Sequence, residues 1–252
     1  MNRKTIILLT LAALCAAPRI RAEDPTATEN AQPAWRIALS PMAGVDRNDL
    51  RRPAGPAGTV TMRDTGPMYG LFGIGIHKNW VFSNFLFFAD VNDTDVWGNL
   101  FFANYYSAPR SGVAWNFGAG HLYHGINTAH GDITVQVPMV KTGPFFRLPS
   151  LNLTMNPYIG YGWERTDTPR GGASEDGTTL YGLTLNWRWR MLEAGVNYYY
   201  MDNRDTGEGY HVIRARVIGM LNPRWGLTGR VDYAEHSTTD DFSILAGPVL
   251  LF

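Results

Sequence analysis

Eight side chains of this sequence are suited to handling a charged small molecule: Arg36, Lys141, Arg188, Glu193, Arg214, Arg216, Arg230 and Asp232. Arg214 and Arg216 lie two apart, as do Arg230 and Asp232, the spacing that puts each pair on one face of a β-strand. Six bases and two acids gathered inside one protein would draw in an anion. Like charges in a low-dielectric wall need carboxylates, water or an anionic ligand beside them. The histidines offer rival chemistries. Glu235-His236-Ser237 contains the residue types of a nucleophile–base–acid set, but neighbours on an extended chain point apart, whereas such a set needs hydrogen-bond contact. His121, His124, His130 and Asp132 are metal-ligating types within a short stretch. A His-x-x-His pair on a strand divides between its two faces, however. The expectation is therefore no catalytic residue, no metal and no cofactor.

The elements that position these groups are legible at the C-terminus. Phe242, Ile244, Ala246, Pro248, Leu250 and Phe252 are all apolar and alternate with the residues between them. A period-2 stripe marks a strand with one apolar face. From Ala34 onward the chain reads as twelve such segments, near 34–44, 67–77, 80–90, 96–106, 112–123, 132–146, 152–163, 178–188, 191–201, 209–220, 224–234 and 242–252. Each matches the roughly 9–11 residues with which a tilted strand crosses a bilayer. The connections alternate between tight turns, such as His77-Lys78-Asn79, and longer polar loops, the longest spanning 45–66. Aromatic residues gather at the turn ends (Trp35, Trp80, Tyr106, Phe145, Trp187, Trp225, Phe252) and at the loop ends (Tyr69, Trp163, Tyr200, Tyr210, Tyr233, Phe242). Aromatic rings prefer the headgroup level on both sides of a membrane.

A closing strand that ends on phenylalanine resembles those of Gram-negative outer-membrane β-barrels. The fold class that follows is all-β: a closed antiparallel transmembrane barrel of twelve strands, with ten or fourteen as alternatives. Length, strand number and an arginine-bearing lumen are similar to the small oligogalacturonate- and sialate-specific porins. That similarity implies passage or binding of a small, anionic solute.

The N-terminus points to the same compartment. Arg3 and Lys4 precede an apolar run from Ile6 to Ala17, with Ile20-Arg21-Ala22 as a cleavage site; this is the pattern of a signal peptide over residues 1–22, too short to span a membrane. Residues 23–33 read as a flexible periplasmic tail and 34–252 as the barrel. The single cysteine, Cys15, leaves with the signal, so disulfide and thiol chemistry are excluded. The full chain carries 22 basic and 22 acidic residues; removal of Arg3, Lys4, Arg19 and Arg21 leaves an acidic balance, which gives a nucleic acid nothing to hold. Expected partners are outer-membrane lipid and lipopolysaccharide together with a small solute, and the oligomeric state stays open.

With the apolar stripe on lipid, the opposite parity faces the lumen. That puts Arg36 and Ser40, Thr134 and Gln136, Asn156 and Tyr158, Asn186 and Arg188, Glu193, Asn197 and Tyr199, Arg214 and Arg216, and Arg230 and Asp232 inside. A charge facing mid-membrane lipid would cost about 2–4 kcal/mol. Lys141 joins them if a bulge breaks the alternation at Val137-Pro138-Met139-Val140-Lys141. Glycines at 73, 75, 118, 120, 160, 162, 182 and 195 are expected to leave room inside, and Pro41, Pro138, Pro144, Pro157 and Pro248 to mark strand ends or bulges. The faces of the third and fourth strands stay open. The function expected is a narrow passive channel or binding barrel for a small anion, with Arg47, Arg51, Arg52 and Arg63 on the long loop as a constriction or an outward face. The alternatives are a lipid-modifying enzyme built on His121 or His236, and a non-conducting barrel that acts through its surface.

Overall fold

The computed structural model describes residues 35–53, 59–91, 94–107, 112–128, 131–169, 171–203, 209–236 and 239–252. The expected signal segment and tail, together with His130 and Ser237, lie outside them. The strands are β1 (Arg36–Pro53), β2 (Thr59–His77), β3 (Trp80–Val91), β4 (Thr94–Tyr106), β5 (Val113–Thr128), β6 (Gly131–Leu148), β7 (Leu153–Thr168), β8 (Gly172–Trp189), β9 (Leu192–Asn203), β10 (Gly209–Met220), β11 (Trp225–Glu235) and β12 (Thr239–Leu251). Every strand pairs antiparallel with its sequence neighbours, and β12 pairs with β1 to close the barrel. Twelve strands it is.

The two faces differ as a wall between hydrocarbon and lumen requires. Along β12, Ile244 is 44% exposed whereas its neighbour Leu245 is fully buried. Tyr69, Phe101, Ile159, Trp163, Ile213 and Leu227 are exposed large apolar groups on the outer face. Closure satisfies the backbone inside the sheet, the condition for any strand to cross hydrocarbon.

Several expectations about individual strands need correction. The 45–66 segment is mostly ladder: β1 and β2 stay in one register from Arg36↔Ile76 to Pro53↔Thr59. Above the membrane both faces of a hairpin meet water, so the hydropathy alternation that marks the strand disappears while its hydrogen bonds continue. Arg51 and Arg52 sit in that ladder, opposite Thr61 and Val60. On β6 there is no bulge, because the register with β5 is constant from Val113↔Phe146 to Thr128↔Gly131. Unbroken alternation then turns Val135, Val137, Met139 and Lys141 inward, and Thr134 and Gln136 outward. Gly73 and Gly75 also face outward, against Leu39 and Trp35, which leaves Phe72 and Ile74 inside. Tyr106, Phe145 and Tyr210 leave the aromatic belts for the lumen: Tyr106 meets Phe145 edge-on at 4.9 Å, and Tyr210 packs on buried Met201 and Val212.

The prolines are neither strand ends nor bulges. Between β1 and β12 the ladder passes from Leu39↔Leu250 straight to Ala43↔Ala246, and in that register Pro41 and Pro248 stand opposite each other. Between β6 and β7 it passes from Thr142↔Ile159 to Phe146↔Met155, with Pro144 opposite Pro157. A three-residue gap follows when both donors of one hydrogen-bonded pair are missing. The residue before a proline repairs part of each gap: Ser40 Oγ donates to the Pro248 carbonyl at 2.8 Å, and Asn156 Nδ2 donates to the Pro144 carbonyl at 2.8 Å. The strands also approach closely there. A Cβ on Gly143 would lie 2.0 Å from the Pro157 carbonyl oxygen, and one on Gly247 would lie 1.9 Å from that of Pro41. Gly143→Ala should therefore force the backbones apart and destabilise the barrel by about 1–3 kcal/mol, read as a shift of the urea midpoint for the refolded protein.

At the tip of the β1–β2 hairpin, Asp49 accepts hydrogen bonds from Arg47 and from Arg63, the latter at 3.1 Å. Bonding to Arg47, with Arg63 adding to it, lowers the Asp49 carboxyl to about 2. A carboxylate held below its usual range contributes stability above that range and loses it as pH falls through the lowered value. Amide protection factors across 47–52 and 60–65 should stay constant from neutral pH to about 4 and decline toward pH 2. Asp49→Asn should show the lower protection at every pH.

Candidate functional site

The lumen is built from inward residues of nearly every strand, and its character changes around the wall. On β8 to β11 the inward positions are largely polar: Thr184, Asn186, Asn197, Arg214, Arg216, Thr228 and Arg230. On β1 to β6 they are largely apolar, with Met42, Phe72, Phe85, Leu100, Leu122 and Met139 among them. The arginines reach across the barrel to that apolar side. Arg230 on β11 places its guanidinium 3.6 Å from the centre of the Phe85 ring on β3. Arg216 on β10 does the same over Phe72 on β2 at 4.6 Å. Guanidinium over an aromatic face is favourable, more so away from water.

Arg216 and Arg230 stand directly opposite each other in the β10–β11 ladder, the adjacency of like charges that the sequence implies. Each is relieved by a carboxylate. Asp232 accepts from Arg230 Nε at 2.9 and 2.8 Å and pairs with its Nη2 at 2.7 Å. Glu193 pairs with Arg216 at 3.3 Å. Arg214 lies opposite Asp232 in the ladder, but that carboxylate is engaged by Arg230, and Arg214 Nε is buried without a hydrogen-bond partner. Its guanidinium rests 5.2 Å from the Tyr199 ring. Lys141 Nζ sits 4.7 Å from the Phe102 ring centre and 4.4 Å from that of Tyr158. Among the described residues no carboxylate pairs with Lys141 or Arg214.

These two cations line a cavity of about 250 Å³, small beside the roughly 300–1,000 Å³ of pockets for drug-sized ligands. The cavity runs from Ile74, Val81 and Tyr106, near the tight-turn end of the barrel, to Leu122, Met139 and Met201. Toward the loop end the lumen is packed rather than open. One buried cluster holds Leu122, Val137, Met139, Leu180, Met201 and Val212; the other holds Met42, Met68, Phe85, Ala89, Val91 and Leu245. Leu100 packs against both and joins them across the interior. Polar donors face the cavity as well: Tyr158 and Thr184 each donate to Asn197 Oδ1, at 3.0 and 2.9 Å.

Of the eight sequence-selected groups, Lys141, Arg214, Arg216 and Arg230 line this cavity, and Glu193 and Asp232 hold two of them. Arg36 and Arg188 keep the inward parity but sit exposed near the turn end; Arg188 faces Glu193 in the ladder, and neither arginine lines the cavity. The rings that carry the cations, Phe72, Phe85 and Phe102, escape a sequence reading because β2 to β4 are apolar on both faces. The described histidines of the rival sites stand apart from one another. His121 points outward from β5, whereas His124 points inward and meets Phe87 edge-on at 5.3 Å. His236 stacks on Tyr210 at 4.5 Å. Among the described residues no group of three or more His, Cys, Asp or Glu could hold a metal.

No protein-family model and no curated protein sequence matches the chain. Solved structures match its fold. An outer membrane channel from Pseudomonas putida F1 aligns with TM-score 0.59 and 10% identity over 92% of this chain and all of that one. The translocator domain of the autotransporter NalP from Neisseria meningitidis aligns with TM-score 0.53 and 13% identity over 99% of this chain and 96% of that one. The NanC porin aligns with TM-score 0.50 and 12% identity over 81% and 98%. The shared property is the closed transmembrane barrel found in outer-membrane porins, channels and autotransporters.

Removing the acid from the Arg230 pair tests whether it holds the lumen together. Asp232→Asn strands a cation whose side chain is 9% exposed, and should destabilise the barrel by about 1.5–3 kcal/mol. The urea midpoint of the variant reads this directly.

Proposed function

We propose that this protein is an outer-membrane barrel whose lumen binds a small amphiphilic anion, a monocarboxylate of alkyl or aryl type. Such a ligand places its carboxylate between Lys141 and Arg214 and its apolar part against Phe102, Leu122 and Tyr199. One observation carries the reading: among the described residues, two luminal cations have no carboxylate partner inside a cavity walled by aromatic rings. A charge-assisted hydrogen bond is worth about twice a neutral one, so an anion supplies what the protein leaves unpaired. The apolar packing on the loop side favours a binding barrel, or a channel that opens on demand, over a wide aqueous pore. Location in the Gram-negative outer membrane is supported by the barrel fold and by the leader-like N-terminus, and it places lipopolysaccharide around the apolar face.

Equilibrium binding of octanoate and benzoate to the refolded barrel tests this. Octanoate should bind at least ten-fold more tightly than octanol, and Lys141→Ala or Arg214→Ala should each weaken it about ten-fold, equivalent to about 1.4 kcal/mol. Equal affinity for octanoate and octanol would remove the anion from the proposal.

A further inference from the structure

The β6–β7 seam is the weakest part of the wall. Its ladder holds from Thr134↔Asp167 to Gln136↔Arg165, lapses, holds again from Met139↔Gly162 to Thr142↔Ile159, and lapses a second time before Phe146↔Met155. Pro138 lies in the first gap, and Pro144 and Pro157 face each other in the second. Three backbone donors are missing from one seam, whereas the opposite seam between β1 and β12 has one gap. Counted around the ring, the two gapped seams are six strands apart.

What lies on either side distinguishes them. Inside β6 and β7 is the cavity, bordered by Met139, Lys141, Asn156 and Tyr158. Outside the same stretch is a groove on the lipid-facing surface, lined by Phe117, Val140, Thr142, Ile159 and Tyr161. Lys141 borders both, and Gly118 and Gly160 beside it in the ladder carry no side chain to thicken the wall. One layer of backbone separates cavity from groove. The second gap is bridged by a side chain: Asn156, which lines the cavity, donates to the Pro144 carbonyl at 2.8 Å. Behind the β1–β12 gap stands buried Ser40, which does not border the cavity.

We propose that the β6–β7 seam is a lateral portal, through which a single-chain amphiphile passes between the luminal cavity and the surrounding bilayer. Opening parts the short paired segment Met139–Thr142 and the Asn156 bridge; few ladder bonds are lost, because the prolines have already removed their neighbours. A ligand with a charged head and an apolar tail suits the path, since Lys141 stands at its inner end and the groove begins where the wall ends. The class of ligand rests on the function proposed above; the portal does not.

The test is chemical access to a cysteine behind the seam. Thr184 lines the cavity and stands opposite Asn156 in the ladder, so Thr184→Cys is introduced with Cys15→Ser into the full chain reconstituted in phosphatidylcholine vesicles. N-hexylmaleimide partitions into the bilayer, whereas the sulfonatoethyl methanethiosulfonate anion stays in water. Restoring the donors with Pro144→Ala and Pro157→Ala should slow the maleimide at least five-fold and leave the aqueous reagent unchanged. Pro41→Ala with Pro248→Ala, which repairs the opposite seam, should alter neither rate. Asn156→Ala should accelerate the maleimide several-fold, and it decides the matter if the proline variant fails to regain its folded, heat-sensitive gel mobility. Maleimide rates unmoved by Asn156→Ala, unmoved in a folded β6–β7 repair, or slowed equally by both repairs would overturn the portal. Absence of octanoate binding would remove the ligand and leave the portal standing, because labelling reads the wall without any anion.

Discussion

A strand in hydrocarbon has no water to satisfy its N–H and C=O groups, so each must find its partner in the next strand. That constraint closes the sheet, fixes the register around the ring, and turns alternate side chains to opposite solvents. It also makes Pro41, Pro138, Pro144, Pro157 and Pro248 conspicuous inside their strands, because each deletes a donor where none can be replaced from outside. Four of them are arranged so that two absences coincide. Pro41 faces Pro248 and Pro144 faces Pro157, and a buried serine or asparagine donates to one orphaned carbonyl in each gap. Concentrating the loss confines it to two seams, β1–β12 and β6–β7, rather than loosening the whole wall.

The interior follows from the same closure. Twelve strands enclose a lumen too wide to be filled by the short side chains of one wall alone, so long ones cross it. Arg216 and Arg230 extend to Phe72 and Phe85, and their charge is balanced by Glu193 and Asp232 on their own side. Lys141 and Arg214 receive rings and, among the described residues, no carboxylate. This difference between paired and unpaired cations, all lining one cavity, separates bracing from a binding surface.

The apolar clusters at the loop side change how such a barrel works. A basic lumen filled with water would favour anions along its whole length. Here Met42, Met68, Leu245, Val137 and Met201 are packed to core-like burial, and methionine in particular adapts to irregular spaces. The basic groups therefore line a chamber packed on its loop side, with its most interrupted seam between β6 and β7.

How much of this was legible in the sequence depended on whether the two sides of a strand meet different surroundings. On β9 to β11 lipid lies on one side and a largely polar lumen on the other, so the alternation there carried a sign, and Glu193, Asn197, Arg214, Arg216, Arg230 and Asp232 share the inward parity. On β2 both sides are apolar and the alternation carried no sign, so Gly73 and Gly75 were assigned to the wrong face; on β6 the apolar Val135, Val137 and Met139 fill the lumen cluster, so the polar Thr134 and Gln136 face outward against the rule. Past the membrane both sides are wet, and the β1–β2 hairpin read as a loop. Strand number, closure and the basic set are thus properties of the chain's own periodicity. The cross-lumen contact of Arg230 with Phe85, the stacking of Lys141 between Phe102 and Tyr158, and the meeting of prolines across a seam belong to the tertiary structure. They join residues that no local spacing relates, and bending the sheet into a ring is what brings them together.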